Sequence, residues 1–241
     1  MVELIAHRGY ARRFPENTLV AIAAAVAAGA RYVEVDVQIT RDGVPVLFHD
    51  DDCRRVCGHE GAIDQYDAAT VATFSASLPS LFGERFRGNP VARLTDLAAF
   101  LGHNPAVTAF VEVKGRAAEV FGAAQAVALI HDALAAVRAQ TVLISFAVPV
   151  IAAARGCFAQ IGLVTSHYRD FAAPAIQALA PDYHFCDWQA LPAGPLDPAG
   201  AALAVYEVDD ADVARDLEAR GVRFVETFAV AELAQALGIV S

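Results

Sequence analysis

Glu34 and Asp36 stand two apart in the run Tyr32-Val-Glu-Val-Asp-Val, which is otherwise a strand of β-branched residues. Side chains two apart on a strand leave from the same face, so both carboxylates point into what the valines mark as an interior. Buried carboxylates without partners are costly. A cation must therefore lie between them, either a metal ion or basic side chains. The same stretch continues to His49, followed by Asp50, Asp51 and Asp52. Hydrolysis needs an acid or base beside a metal, and this stretch offers both.

Further groups of the same kind occur along the chain. Glu112 lies in the apolar run Val107–Val113 and is followed by Lys114, while His7 and Arg8 end the apolar run Val2–Ala6. Three carboxylates without thiolate or clustered imidazole suit a hard cation, Mg²⁺ or Ca²⁺, rather than zinc. The alternative is that Arg8 and Lys114 neutralise Glu34, Asp36 and Glu112 as ion pairs. His7 and His49 titrate near neutral pH and can serve as general base and general acid at a phosphate. Arg8, through its planar fork, and Lys114, as a point charge, can bind phosphate oxygens. His59, His103, His131, His167 and His184 have no comparable setting and are assigned no role.

These residues must be brought together by the fold. Val2–Ala6 reads as a first strand, and Asn17 or Thr18 as the N-cap of an alanine-rich helix from Leu19 to Ala28, stopped by Gly29. The strand carrying Glu34 and Asp36 follows. Asp42-Gly43 is a hairpin signal before the extended run Val44–Phe48. No helix fits between those two runs, so they cannot be parallel neighbours; the chain must project past a rim and fold back, bringing His49 toward Glu34 and Asp36. Residues 51–92 have weak periodicity and read as an excursion over one face, without a separate core. After a short helix from Thr95, strands Val107–Val113, Thr141–Ser145, Gln160–Val164, Asp182–Cys186, Ala202–Val208 and Arg223–Thr227 alternate with helices. The longest of these is expected from Ala117 to Arg138, and a last one runs to Leu237. Eight strands separated mostly by helices predict an α/β fold, a single (β/α)8 TIM barrel over residues 1–241 with an insertion after the second-strand hairpin. His7, Arg8, Glu34, Asp36, Glu112 and Lys114 then all fall at the C-terminal ends of strands, where barrels of this type place their chemistry.

Composition narrows the partners. The chain of 241 residues has a formal charge of −10, with no basic stripe to neutralise nucleic-acid phosphates. No apolar run is long enough and free enough of charge to span a bilayer, and no basic, then hydrophobic, leader precedes the first strand, which predicts a cytoplasmic protein that does not engage membranes. Cys53, Cys57, Cys157 and Cys186 form no paired CxxC arrangement. Cys53 and Cys57 with His59 are irregularly spaced for zinc, and reduced cysteines fit a reducing compartment.

The motifs His7-Arg8-Gly9, Pro15-Glu16-Asn17-Thr18, Val33-Glu34-Val35-Asp36-Val37, Thr40-Arg41-Asp42-Gly43, His49-Asp50 and Glu112-Val113-Lys114 closely resemble the signature of the glycerophosphodiester phosphodiesterase family. Ser145-Phe146 and Thr227 also fall at family-like positions. The resemblance implies a TIM-type barrel in which a divalent cation held by Glu34, Asp36 and Glu112 coordinates the phosphate of a small-molecule phosphodiester. It implies His7 and His49 as the acid–base pair, Arg8 and Lys114 on the phosphoryl group, and residues 51–92 over the mouth. The C-terminal third departs from the pattern: Tyr206-Glu207-Val208-Asp209 replaces the usual Trp-Thr-Val-Asn, and Thr227-Phe228, preceded by Glu226, replaces Thr-Asp. These positions lie around the substrate alcohol, so Tyr206 and Glu207 are expected to bind it. Glu207 and Glu226 could hydrogen-bond a polyol or a cationic head group, or enlarge the metal site. The expected reaction is metal-dependent hydrolysis to an alcohol and sn-glycerol 3-phosphate. Intramolecular transfer to a cyclic phosphate and a non-catalytic phosphometabolite-binding barrel are the alternatives.

Overall fold

The computed structural model describes residues 1–197 and 200–239. Among them, eight parallel strands close into a ring in the order β1 (Glu3–Ala6), β2 (Tyr32–Ile39), β4 (Thr108–Val113), β5 (Thr141–Ser145), β6 (Ile161–Thr165), β7 (Tyr183–Asp187), β8 (Ala202–Tyr206) and β9 (Phe224–Thr227), with β9 pairing back onto β1. The helices between them include α1 (Leu19–Ala27), α5 (Leu94–His103), α6 (Gly115–Phe121), α7 (Ala123–Ala133), α8 (Val148–Ala154), α10 (Ala211–Ala219) and α11 (Val230–Leu237). The expected (β/α)8 barrel is therefore the observed fold.

Alternation along each strand builds two cores. Ile5, Phe110, Val142, Ile144, Val164, Phe185, Ala204 and Phe224 point inward and fill the barrel. The opposite faces, such as Val33, Val35 and Val37 of β2, pack against the helices. Gly162 has a packing reason: a Cβ there would meet Ile144 Cγ2 and Tyr183 Cβ at 3.0 Å.

β2 departs from the repeat in the way the hairpin signal predicts. Its lower part pairs with β1 and β4, while Val37–Ile39 pair antiparallel with β3 (Pro45–Leu47). Phe48 N donates to Asp36 O at 2.9 Å, which seats the following His49 above the carboxylate strand. Thr18, not Asn17, caps α1, its side chain accepting from Ala21 N. Asn17 is held in a left-handed conformation for another purpose.

Two expectations are corrected. The single helix from Ala117 to Arg138 is broken at Gly122, whose φ of +77° ends α6 and re-aims the chain into α7, which itself stops at Ala133. The segment from 51 to 92 does have a core of its own. Its short helices α2 (Arg54–Cys57), α3 (Ala68–Val71) and α4 (Pro79–Phe82) gather Cys53, Val56, Ile63, Val71, Phe74 and Leu78 beneath Val46 and Phe48 of the hairpin. Elements this short bury too few turns to leave a readable period. Among the described residues no helix is long and apolar enough to cross a membrane.

One buried histidine lies away from the barrel mouth. His184 on β7 stacks on Phe171 with centroids 4.0 Å apart, neither ring nitrogen has a hydrogen-bond partner, and burial lowers its pKa to about 4. A histidine held neutral in the fold but ionisable when unfolded makes the unfolded state bind the extra proton, so stability falls as pH drops from 6.5 toward 4. Urea unfolding should therefore lose about 1–2 kcal/mol between pH 7 and pH 5 that a His184→Leu variant keeps. Equal losses in the two proteins would contradict this assignment.

Candidate active site

The first strand delivers its functional residues through a tight turn. Gly9 has φ +79°, and a Cβ there would lie 2.7 Å from the backbone of Ala21, so the turn after β1 admits only glycine. That turn holds Arg8 at φ +55°. Its main-chain N–H donates to Glu34 Oε2 at 3.1 Å, and its guanidinium returns over the barrel, with Nε 3.1 Å from Asp36 Oδ2. His7 is buried, stacks on Phe228 at 4.6 Å, and places Nε2 3.7 Å from Glu34 Oε2.

Asp36 is held from several sides. Asn17 Nδ2 donates to Oδ2 at 2.8 Å, Lys114 Nζ lies 3.2 Å from Oδ1, and Asn17 Oδ1 accepts from the Asp36 N–H at 2.9 Å. Asn17, at φ +56°, thus clamps Asp36 from both sides with one amide. Lys114 leaves the end of β4 and also reaches Glu112 Oε1 at 2.7 Å.

Burial alone would raise the Asp36 pKa, but Arg8 and Lys114 outweigh it and bring it down to about 2. Glu34 goes the other way: burial, then repulsion from Asp36, Glu226 and Glu112, pushes it well above the usual carboxylate range. Glu112 and Glu226 are raised for the same reasons. Burial, followed by the charge of Arg8, lowers His7 well below an ordinary imidazole. Four buried or nearly buried acids thus face two half-buried cations.

This arrangement tests the cation expectation. Oxygens of Glu34, Asp36 and Glu112 lie within 4.8 Å of one another, and the buried Glu34 Oε1 has no hydrogen-bond partner. The ion-pair alternative is realised too, since Lys114 joins Asp36 to Glu112, but it leaves Glu34 Oε1 unmatched. An all-oxygen donor set with excess negative charge fits a hard divalent cation. A second group, Glu16, His49 and Asp50, also converges within 4.8 Å. There Arg8 and Arg55 already occupy the carboxylates. Cys53 and Cys57 do not converge with His59, which stacks on Phe74 at 4.1 Å, and burial raises both thiols to about 12.

Nearly all of the residues singled out in the sequence meet at one cavity of about 140 Å³ at the C-terminal end of the barrel. His7, Arg8, Asp36, His49, Glu112 and Lys114 line one side. Tyr206, Glu207, Glu226 and Phe146 line the other. Glu34 lies among the buried residues beneath, 1% exposed. Glu207, where the backbone is again left-handed at φ +64°, projects from the end of β8. Glu226 Oε1 is buried without a partner.

Sequence reasoning missed Asn17 as the clamp on Asp36, Glu16 as a buried acid, and Arg55, which bonds both Glu16 and Asp50. Asn17 had a signal, since asparagine is favoured in left-handed turns. Arg55 lies in the stretch without periodicity and had none.

The Glycerophosphoryl diester phosphodiesterase family profile matches residues 7–146. A glycerophosphodiester phosphodiesterase of Caldanaerobacter subterraneus is 34% identical over 99 residues, 41% of this chain and 40% of that protein. Human glycerophosphodiester phosphodiesterase 1 is 34% identical over 117 residues, 48% of this chain and 35% of that protein. The matched region spans well under half the length of these relatives. Among solved structures, an Oleispira antarctica phosphodiesterase in complex with the product sn-glycerol-3-phosphate superposes with a TM-score of 0.83 at 21% identity, covering 98% of this chain and 96% of that one.

The clamp gives a direct test. Asn17→Ala removes two buried hydrogen bonds and should cost about 1–3 kcal/mol in urea unfolding. Asn17→Gly, which tolerates the left-handed backbone, should still be destabilised. A Gly variant as stable as wild type would contradict this role for the Asp36 bonds.

Proposed function

The chain belongs to the Glycerophosphoryl diester phosphodiesterase family, and from that premise we propose that it hydrolyses a glycerophosphodiester to an alcohol and sn-glycerol 3-phosphate. The observation that carries this reading is the convergence of His7, Arg8, Asp36, His49, Glu112 and Lys114 on one cavity. The Oleispira antarctica protein solved with sn-glycerol-3-phosphate supports the choice of product.

Glu34, Asp36 and Glu112 are the residues to hold a divalent cation, Mg²⁺ or Ca²⁺. When bound, it supplies positive charge against the phosphoryl oxygens. Arg8 and Lys114 line the same cavity, and their charges are shared between the carboxylates and the phosphodiester anion. His7 is kept neutral by burial and Arg8. A neutral imidazole can accept the proton of the attacking water, so His7 is the general base. His49 delivers a proton to the leaving alkoxide. Its Nδ1 lies 2.8 Å from Asp50 Oδ1, which leaves Nε2 as the working nitrogen.

Tyr206 and Glu207, with Glu226 and Phe146 beside them, form the alcohol side of the cavity. Carboxylates there favour alcohols that bring hydroxyl donors or positive charge. Because β8 and β9 carry the departures from the family pattern, this side sets substrate choice and leaves the phosphoryl chemistry to β1, β2 and β4.

Purified protein supplied with Mg²⁺ or Ca²⁺ should release glycerol 3-phosphate from members of a glycerophosphodiester panel. His49→Ala should lower kcat by about 10²–10⁴-fold, the usual contribution of an acid–base group. Phosphorus NMR that shows a cyclic phosphate as end product, or no product from any substrate, would contradict the hydrolytic reading.

A further inference from the structure

Arg55 lies on α2, inside the insertion, and does not line the cavity. It is nevertheless tied to both sides of the phosphoryl machinery. Along one edge of its guanidinium, Nε donates to Asp50 Oδ2 at 2.6 Å and Nη2 to Asp50 Oδ1 at 2.7 Å. Along another edge, Nη1 donates to Glu16 Oε2 at 2.8 Å and Nη2 to Glu16 Oε1 at 2.8 Å. One planar fork thus holds two carboxylates bidentately. Among side chains only arginine presents donors for that.

What the two carboxylates do next gives the fork its consequence. Asp50 Oδ1 is 2.8 Å from His49 Nδ1, so the carboxylate selects the tautomer with hydrogen on Nδ1 and sets the plane of the ring. Glu16 Oε1 accepts from Arg8 Nη1 at 3.0 Å, and Arg8 in turn approaches Asp36. Glu16, His49 and Asp50 offer ligand atoms within 4.8 Å of one another. Without a cation between them, Glu16 and Asp50 would repel, and Asp50 would lose the two bonds that fix its orientation. Arg55 also depresses both acids: burial opposes ionisation of Asp50 and Glu16, and the hydrogen bonds and charges around them overcome it.

We propose that Arg55 is a positioning residue through which the insertion sets the orientation and tautomer of His49 and holds Arg8 in place over the carboxylate cluster. The insertion is then part of the catalytic apparatus. This inference rests on the phosphodiesterase reading for its kinetic consequence, but the ring geometry of His49 can be observed without turnover.

Three variants, followed by NMR and by kinetics, test it. Long-range proton–nitrogen NMR of the His49 ring should show hydrogen on Nδ1 in the wild type at neutral pH and a mixture of tautomers in Arg55→Gln. On a glycerophosphodiester that the wild type cleaves, Arg55→Gln should lower kcat about 10–100-fold while KM changes little, the size of loss expected when the partner orienting a site residue is removed. Arg55→Lys keeps a charge between Glu16 and Asp50, so the protein should fold, yet one ammonium cannot hold both carboxylates and kcat should stay low. Millimolar guanidinium added to Arg55→Ala should recover part of the lost rate. An unchanged His49 tautomer in either Arg55→Gln or Arg55→Lys would overturn the proposal whether or not the protein turns over. Wild-type inactivity with an altered tautomer in the variants would instead leave the positioning role standing and defeat the phosphodiesterase reading.

Discussion

The structure depends on an excess of buried negative charge at one end of the barrel. Glu34, Asp36 and Glu226 are each no more than 3% exposed, and Glu112 stands against them across the β2–β4 pair. Carboxylates removed from water are tolerated only when paired or bound to a cation. Arg8 and Lys114 are the half-buried positive charges that reach this group, and they bond Asp36 and Glu112 more fully than Glu34 or Glu226. Local features of the mouth follow from that imbalance. Gly9 permits the turn that returns Arg8, and Asn17 accepts a left-handed backbone to clamp Asp36. The β2–β3 hairpin folds back so that His49 meets the same cavity. Arg8, Asn17 and Glu207 all adopt positive φ at this rim, the kind of strain that gathers where surrounding structure fixes a site.

Much of this was legible in the sequence because barrels write themselves with two clear periods. Valines alternating with Glu34 and Asp36 marked both the strand and the face on which chemistry would lie. Asp42-Gly43 marked the reversal that brings back His49. What was not legible depended on contacts between segments distant in sequence. The break at Gly122 could not be read from helix-favouring alanines on both sides, since a single glycine interior to such a run is often tolerated. The core under residues 51–92 is assembled from helical turns too short to show amphipathicity. Arg55 carried no local signal: its significance comes from Glu16, which is 39 residues away in the chain.

The departures near the C-terminus became more specific in three dimensions. Phe228, standing where an aspartate is usual in the family, stacks on His7 and lies 5.8 Å from the Arg8 guanidinium carbon. An apolar ring there deepens the burial that keeps His7 neutral. Thr227 Oγ1 donates to Asp209 at 2.6 Å, and Asp209 binds Arg12, so the chain after β8 is tied both to the end of β9 and to the turn after β1. Glu226 has no such tether. Its Oε1 stays buried without a partner at the wall of the cavity.

The central claim is that the carboxylate cluster holds a divalent cation that Arg8 and Lys114 do not replace. Isothermal titration of Ca²⁺ or Mg²⁺ into chelator-treated protein measures this most directly. The account predicts saturable binding by the wild type that is abolished in Asp36→Asn, because the asparagine variant removes the ionised ligand best placed to share the ion with Glu34 and Glu112. Absence of binding by the wild type, or equal binding by the Asp36→Asn variant, would contradict it.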